Sequence, residues 1–116
     1  MTNKQLAEKA AKWLGFEWHE HVWFYGSFGW LDESLEDTFF SNEETAPILM
    51  HLGQVKLDKN NNLTYECGSI RVDGKLMKTC SIYQNIPDDE FRQIDSNKFI
   101  AFWKAVEATG VLDANK

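Results

Sequence analysis

Three features predict an α+β fold, an antiparallel sheet of about four to five strands packed by N-terminal, central and C-terminal helices. Apolar residues recur at helical spacing near both ends and in the middle of the chain. A Gly-punctuated run, Phe16 to Leu31, carries seven of the sixteen aromatic residues and no Lys or Arg, which favours paired strands. Finally, Asp73-Gly74 separates two strand-like runs, and this dipeptide suits a tight type I′ hairpin.

The opening helix is expected over Thr2 to Leu14. Thr2 and Gln5 have capping-box spacing, Leu6, Ala10, Trp13 and Leu14 share one face, and Gly15 can end the helix with positive φ. The aromatic run follows, read as a strand near 17–25 turning at Gly26-Ser27 and returning through 28–31. On that reading His19 and His21 share a face, and Gly29 marks a bulge or a close backbone approach. Residues 32–44 contain six acids and no base, and read as a solvated acidic loop.

Ser41 and Glu44 suggest a second capping box, opening a helix near 44–57 with Pro47 in its first turn and Ile48, Leu49, Leu52 and Val55 as its stripe. Gly53 weakens that helix, and 58–62 is a turn. The hairpin of 63–72 with 75–83 then sets Cys67 opposite Cys80 in a non-hydrogen-bonded pair, unless a bulge at Gly68-Ser69 separates them. In a reducing compartment two buried thiols acting as small hydrophobes are expected there, with a cross-strand disulfide as the alternative. A short helical turn is expected at 85–90, and a last helix over 96–109 capped by Asp95 or Ser96. Its buried stripe is Phe99, Phe102, Trp103 and Val106. Gly110 ends it, Val111 and Leu112 fold back, and 113–116 is loose.

At 116 residues and 43% hydrophobic content the chain reads as one folded domain, 1–116. A net charge of −6 argues against nucleic acid and anionic membranes as partners, since both are held by clustered cations. No signal peptide or membrane span is legible, so a cytoplasmic home is expected.

The segments Leu6-Ala-Glu-Lys-Ala-Ala-Lys-Trp-Leu-Gly-Phe-Glu-Trp18 and Phe99-Ile-Ala-Phe-Trp-Lys-Ala-Val-Glu-Ala-Thr-Gly110, with the Trp-rich strands after the first, resemble small phage- or prophage-encoded α-β-α sandwich proteins. Most of these are uncharacterised. Some small acidic phage proteins block host defence machinery, so the resemblance implies an inhibitor or accessory role.

Between Lys12 and Lys56 there is no Lys or Arg, while eight carboxylates fall in that interval. Together with the rings, this points to a non-enzymatic binding protein engaging a basic protein surface, with no cofactor. The residues expected to carry it are Trp23, Tyr25, Trp30, Asp32, Glu33, Glu36, Asp37, Phe39 and Phe40. A metal-dependent hydrolase is the enzymatic alternative, with His19 and His21 as ligands and a third from His51 or an acid of the 32–37 stretch. A small-ligand pocket lined by Trp18, Trp23 and Trp30 is a further reading.

Overall fold

The computed structural model describes residues 1–61, 64–83 and 90–113. Helix α1 spans Asn3–Leu14, with the Thr2 hydroxyl accepting the Gln5 amide and the Gln5 side chain accepting the Thr2 amide. Gly15 adopts φ 103°, which L side chains rarely enter, and the Phe16 amide donates to the Ala11 carbonyl. The chain thereby reverses into the aromatic run.

That run forms three short strands, β1 (Glu17–His19), β2 (Val22–Tyr25) and β3 (Phe28–Leu31), paired antiparallel in that order. The expected long strand over 17–25 is broken by a turn at Glu20 and His21, both at positive φ. His19 and His21 therefore do not share a strand face, and Trp18 lies opposite Trp23. Gly26, at φ 62°, closes the second hairpin as expected. No bulge occurs at Gly29, which stays in register with Phe24; a Cβ there would meet the Phe24 ring at 3.0 Å.

The acidic stretch is not a loop. A 3-10 turn, Asp32–Ser34, leads into α2 (Leu35–Phe40), which buries Leu35, Thr38, Phe39 and Phe40 and leaves Glu36 and Asp37 outside. Helix α3 spans Ala46–Lys56. The expected Ser41–Glu44 box is replaced by Asn42, whose side-chain oxygen accepts the Glu44 and Thr45 amides. A π-helical turn, Leu57–Asn61, follows.

A second antiparallel sheet then forms, β4 (Thr64–Val72), β5 (Lys75–Tyr83) and β6 (Glu90–Asp95), in that order. Asp73 and Gly74 both take positive φ and the register runs without a bulge, so Cys67 faces Cys80. Two three-stranded sheets thus replace the expected single sheet. Strand β6 is an addition to the expected elements, and the helical turn expected at 85–90 lies, apart from Glu90, outside the described residues. Helix α4, Lys98–Ala108, is capped by Asn97 rather than Asp95 or Ser96; its side-chain oxygen accepts the Phe99 and Ile100 amides. The Asn97 amide nitrogen also donates to the Phe40 carbonyl at 2.7 Å, fastening α2 to the start of α4. A 3-10 turn at Val111–Asp113 buries Leu112.

One contiguous core joins these parts, and Trp103 is fully buried within it. Its ring meets Trp13, Phe39 and Phe102 edge-on at centroid distances of 6.1, 5.6 and 5.0 Å. Such aromatic pairs contribute roughly 0.5–1.5 kcal/mol each beyond their buried area. No helix among the described residues is long and apolar enough to cross a membrane.

Candidate functional site

The rings expected on the contact surface divide into two populations. Trp23, Phe39 and Phe40 are buried, which corrects their expected place on a contact surface. The Trp23 indole donates to Asp32 at 3.0 Å, and Lys4 binds the other oxygen of Asp32 at 3.0 Å. The indole and then Lys4 hold the Asp32 carboxyl below its ordinary value, against a smaller upward push from burial. Asp32 is thus occupied within the chain, as a tie from the first sheet to α1. Glu36 also acts on Lys4, while Glu33, Glu36 and Asp37 are all exposed.

The second population lines a groove between the β2–β3 hairpin and α3, of about 480 Å³. Tyr25, Phe28 and Trp30 form one wall, and Ile48, Leu49 and Leu52 the other. Strand alternation places Phe28 and Trp30 on one face of β3, and their rings stack at 6.4 Å. On α3, Ile48, Leu49 and Leu52 sit at i, i+1 and i+4. Leu49 is buried, whereas Ile48 is 61% exposed and Phe28 69% exposed. Two large apolar side chains so open to water, on opposite walls of one apolar groove, are the kind of feature that marks a binding surface. The hairpin tip, Gly26-Ser27, and Thr45 complete the lining. Glu43 and Glu44, both exposed, immediately precede Thr45.

Phe16 supports the groove from behind. Its ring packs against Tyr25 at 5.1 Å, Trp30 at 5.3 Å and Phe39 at 5.7 Å, so two groove rings rest on a buried neighbour. Of the three tryptophans expected to line a pocket, only Trp30 does. Trp18 and Trp23 instead pack against each other at 5.0 Å. Phe28, Ile48, Leu49 and Leu52 lie outside the expected site; the last three are residues of the α3 stripe, and of these Ile48 is left exposed by the core.

The proposed metal ligands do not converge. His19 sits against Glu17 at 3.2 Å and its ring packs near Phe24, while His21 turns its ring edge-on to Trp18. Among the described residues no three His, Cys, Asp or Glu side chains come together as a metal would require. Comparison with protein-family models, with curated proteins and with solved structures finds no match to this chain.

Proposed function

We propose that this chain is a non-enzymatic binding protein that receives the apolar side chains of a cationic amphipathic segment in the groove between the β2–β3 hairpin and α3. The observation that carries it is the coincidence of that groove with the cation-free interval. Every residue lining the groove falls between Lys12 and Lys56, where the sequence supplies eight carboxylates. Acidic surroundings raise the encounter rate with a basic segment, and desolvated rings supply most of the hold once it docks. A helix-in-groove mode fits a wall built from Ile48, Leu49 and Leu52, because such partners present apolar anchors at helical spacing. The resemblance to small phage proteins supports an inhibitory or accessory role for such an interaction.

The test uses two designed amphipathic helical peptides, one of Leu and Lys and one of Leu and Glu, followed by calorimetry. The Leu/Lys peptide should bind, weaken with salt, and lose about tenfold or more in affinity to Phe28→Ser or Ile48→Asn variants. Equal binding of both peptides, or binding indifferent to both variants, removes the proposal. The groove's volume also lies in the range of roughly 300–1,000 Å³ used by small-molecule sites. Binding of neutral apolar compounds, independent of salt and abolished by the same variants, would establish that second reading.

A further inference from the structure

Away from the groove, the second sheet brings two thiols together. Cys67 on β4 and Cys80 on β5 are directly opposed, with their sulfurs 2.8 Å apart. Counting from the Val72–Lys75 pair that closes the two-residue turn, this is a non-hydrogen-bonded pair, the position at which facing residues approach most closely. A small side-chain adjustment brings such sulfurs to the roughly 2.03–2.05 Å of an S–S bond.

The two thiols are not equivalent. Cys80, on the central strand of its sheet, is fully buried, whereas Cys67 is exposed, contrary to the expectation of two buried thiols. Cys67 opens on a crevice of about 530 Å³ between the end of α3 and β4, lined among others by His51, Asp58, Tyr65 and Glu66. The hydrogen bond with Cys80 holds the Cys67 thiol below its ordinary value, and Lys98 adds to this against the effect of burial. The same bond, and then burial, push Cys80 up. One sulfur is thus reachable and primed, and the other is shielded.

We propose that Cys67 and Cys80 form a reversible dithiol–disulfide site, with Cys67 as the attacking sulfur, Cys80 as the resolving sulfur and a low-molecular-weight disulfide as the oxidant. The Cys67 thiolate attacks one sulfur of the disulfide RSSR. The RS–SR bond breaks and the first RS⁻ leaves, taking up a proton from solvent. Cys80 then loses its proton to solvent and attacks the Cys67 sulfur, breaking the mixed disulfide and expelling the second RS⁻, which likewise takes up a proton from solvent. Two protein thiols are oxidised to one disulfide, and RSSR is reduced to two RSH. Proximity favours the second step, since Cys80 is already in contact with the sulfur it must attack.

The full-length chain is equilibrated in buffers of oxidised and reduced glutathione, quenched in acid, alkylated and weighed. The wild type should lose two hydrogens, carry no glutathione, and regain both thiols on addition of dithiothreitol. Cys80→Ala should instead accumulate one glutathione on Cys67. In the folded, reduced wild type, iodoacetamide should label Cys67 roughly tenfold or more faster than Cys80. A wild type that stays fully reduced in excess oxidised glutathione overturns the proposal. So does one that retains a glutathione adduct on Cys67, or one that labels both thiols at equal rates. Should Cys80→Ala fail to fold by circular dichroism, the two wild-type measurements decide the matter.

Discussion

Gly53 on α3 faces the indole of Trp103 on α4 so closely that a Cβ at Gly53 would stand 2.7 Å from Cη2 of that ring and 3.2 Å from Cε2 of Phe102. Both rings are fully buried. Helix propensity alone makes Gly53→Ala favourable by about 1 kcal/mol. Overpacking a filled core costs about 1–3 kcal/mol, so the clash should win. Gly53→Ala is therefore expected to lower the urea midpoint, with the slope of the transition unchanged; a raised midpoint would show that α3 can slide away from Trp103.

Asp32 joins the first sheet to α1 through Trp23 and Lys4, and this link should be sensitive to acid. Its folded carboxyl titrates below the ordinary value of 3.8, chiefly because of the Trp23 hydrogen bond and then Lys4. A depressed carboxyl contributes stability that is complete above its unfolded pKa and is lost as pH falls through the folded one. The loss should begin near pH 4 and continue below it. Asp32→Asn should be less stable than wild type at pH 7, with the difference shrinking toward pH 2. Thermal melts across that range check the sign. Asp95 adds to the same acid sensitivity, because the Asn97 amide, Lys104 and Ser96 together outweigh the upward push of its burial.

What the sequence made legible follows from how local each signal was. The Thr2–Gln5 box, the Gly15 stop and the Asp73-Gly74 turn are decided by residues within a few positions of one another, and all three are present in the fold. The unbroken register that opposes Cys67 to Cys80 follows from the same turn. By contrast, the exposure of Phe28 and Ile48 depends on where the β2–β3 hairpin meets α3, a contact between elements that periodicity does not encode. In the acidic stretch Leu35, Thr38, Phe39 and Phe40 are buried among six carboxylates, so charge density hides a short amphipathic helix. The division into two sheets is not legible because alternation reports strands, not which strands pair.

The turn at Glu20 and His21 is the place where composition and backbone disagree. Both residues adopt positive φ, 44° and 74°, the pattern of a type I′ turn, yet neither is Gly, Asn or Asp. Asn tolerates the left-handed region better than Glu, since its short side chain can hydrogen-bond locally. Glu20 is exposed, so replacing it removes no packing. Glu20→Asn should raise stability by about 0.5–1 kcal/mol, read as a higher urea midpoint. A Gly at position 21 is a poorer choice, because it would delete the His21 ring that packs edge-on to Trp18.

Phe16 links the stability of the fold to the shape of the groove. It is 5% exposed, and its ring touches the groove-lining Tyr25 and Trp30 on one side and the core ring Phe39 on the other. Deleting a buried phenyl group costs about 3–5 kcal/mol, so Phe16→Ala should be markedly destabilised. Phe16→Leu keeps most of the volume and should cost less, while withdrawing the flat surface on which Tyr25 and Trp30 rest. If the groove needs those two rings held in place, Phe16→Leu should fold at room temperature yet bind the Leu/Lys peptide more weakly than wild type. Phe28→Ser should show the complementary pattern, with stability within about 0.5 kcal/mol of wild type and binding lost, because its ring is open to solvent. Parallel denaturation and calorimetry on the two variants separate support from contact. Equal binding by Phe16→Leu and wild type would mean that the groove rings hold their positions without it.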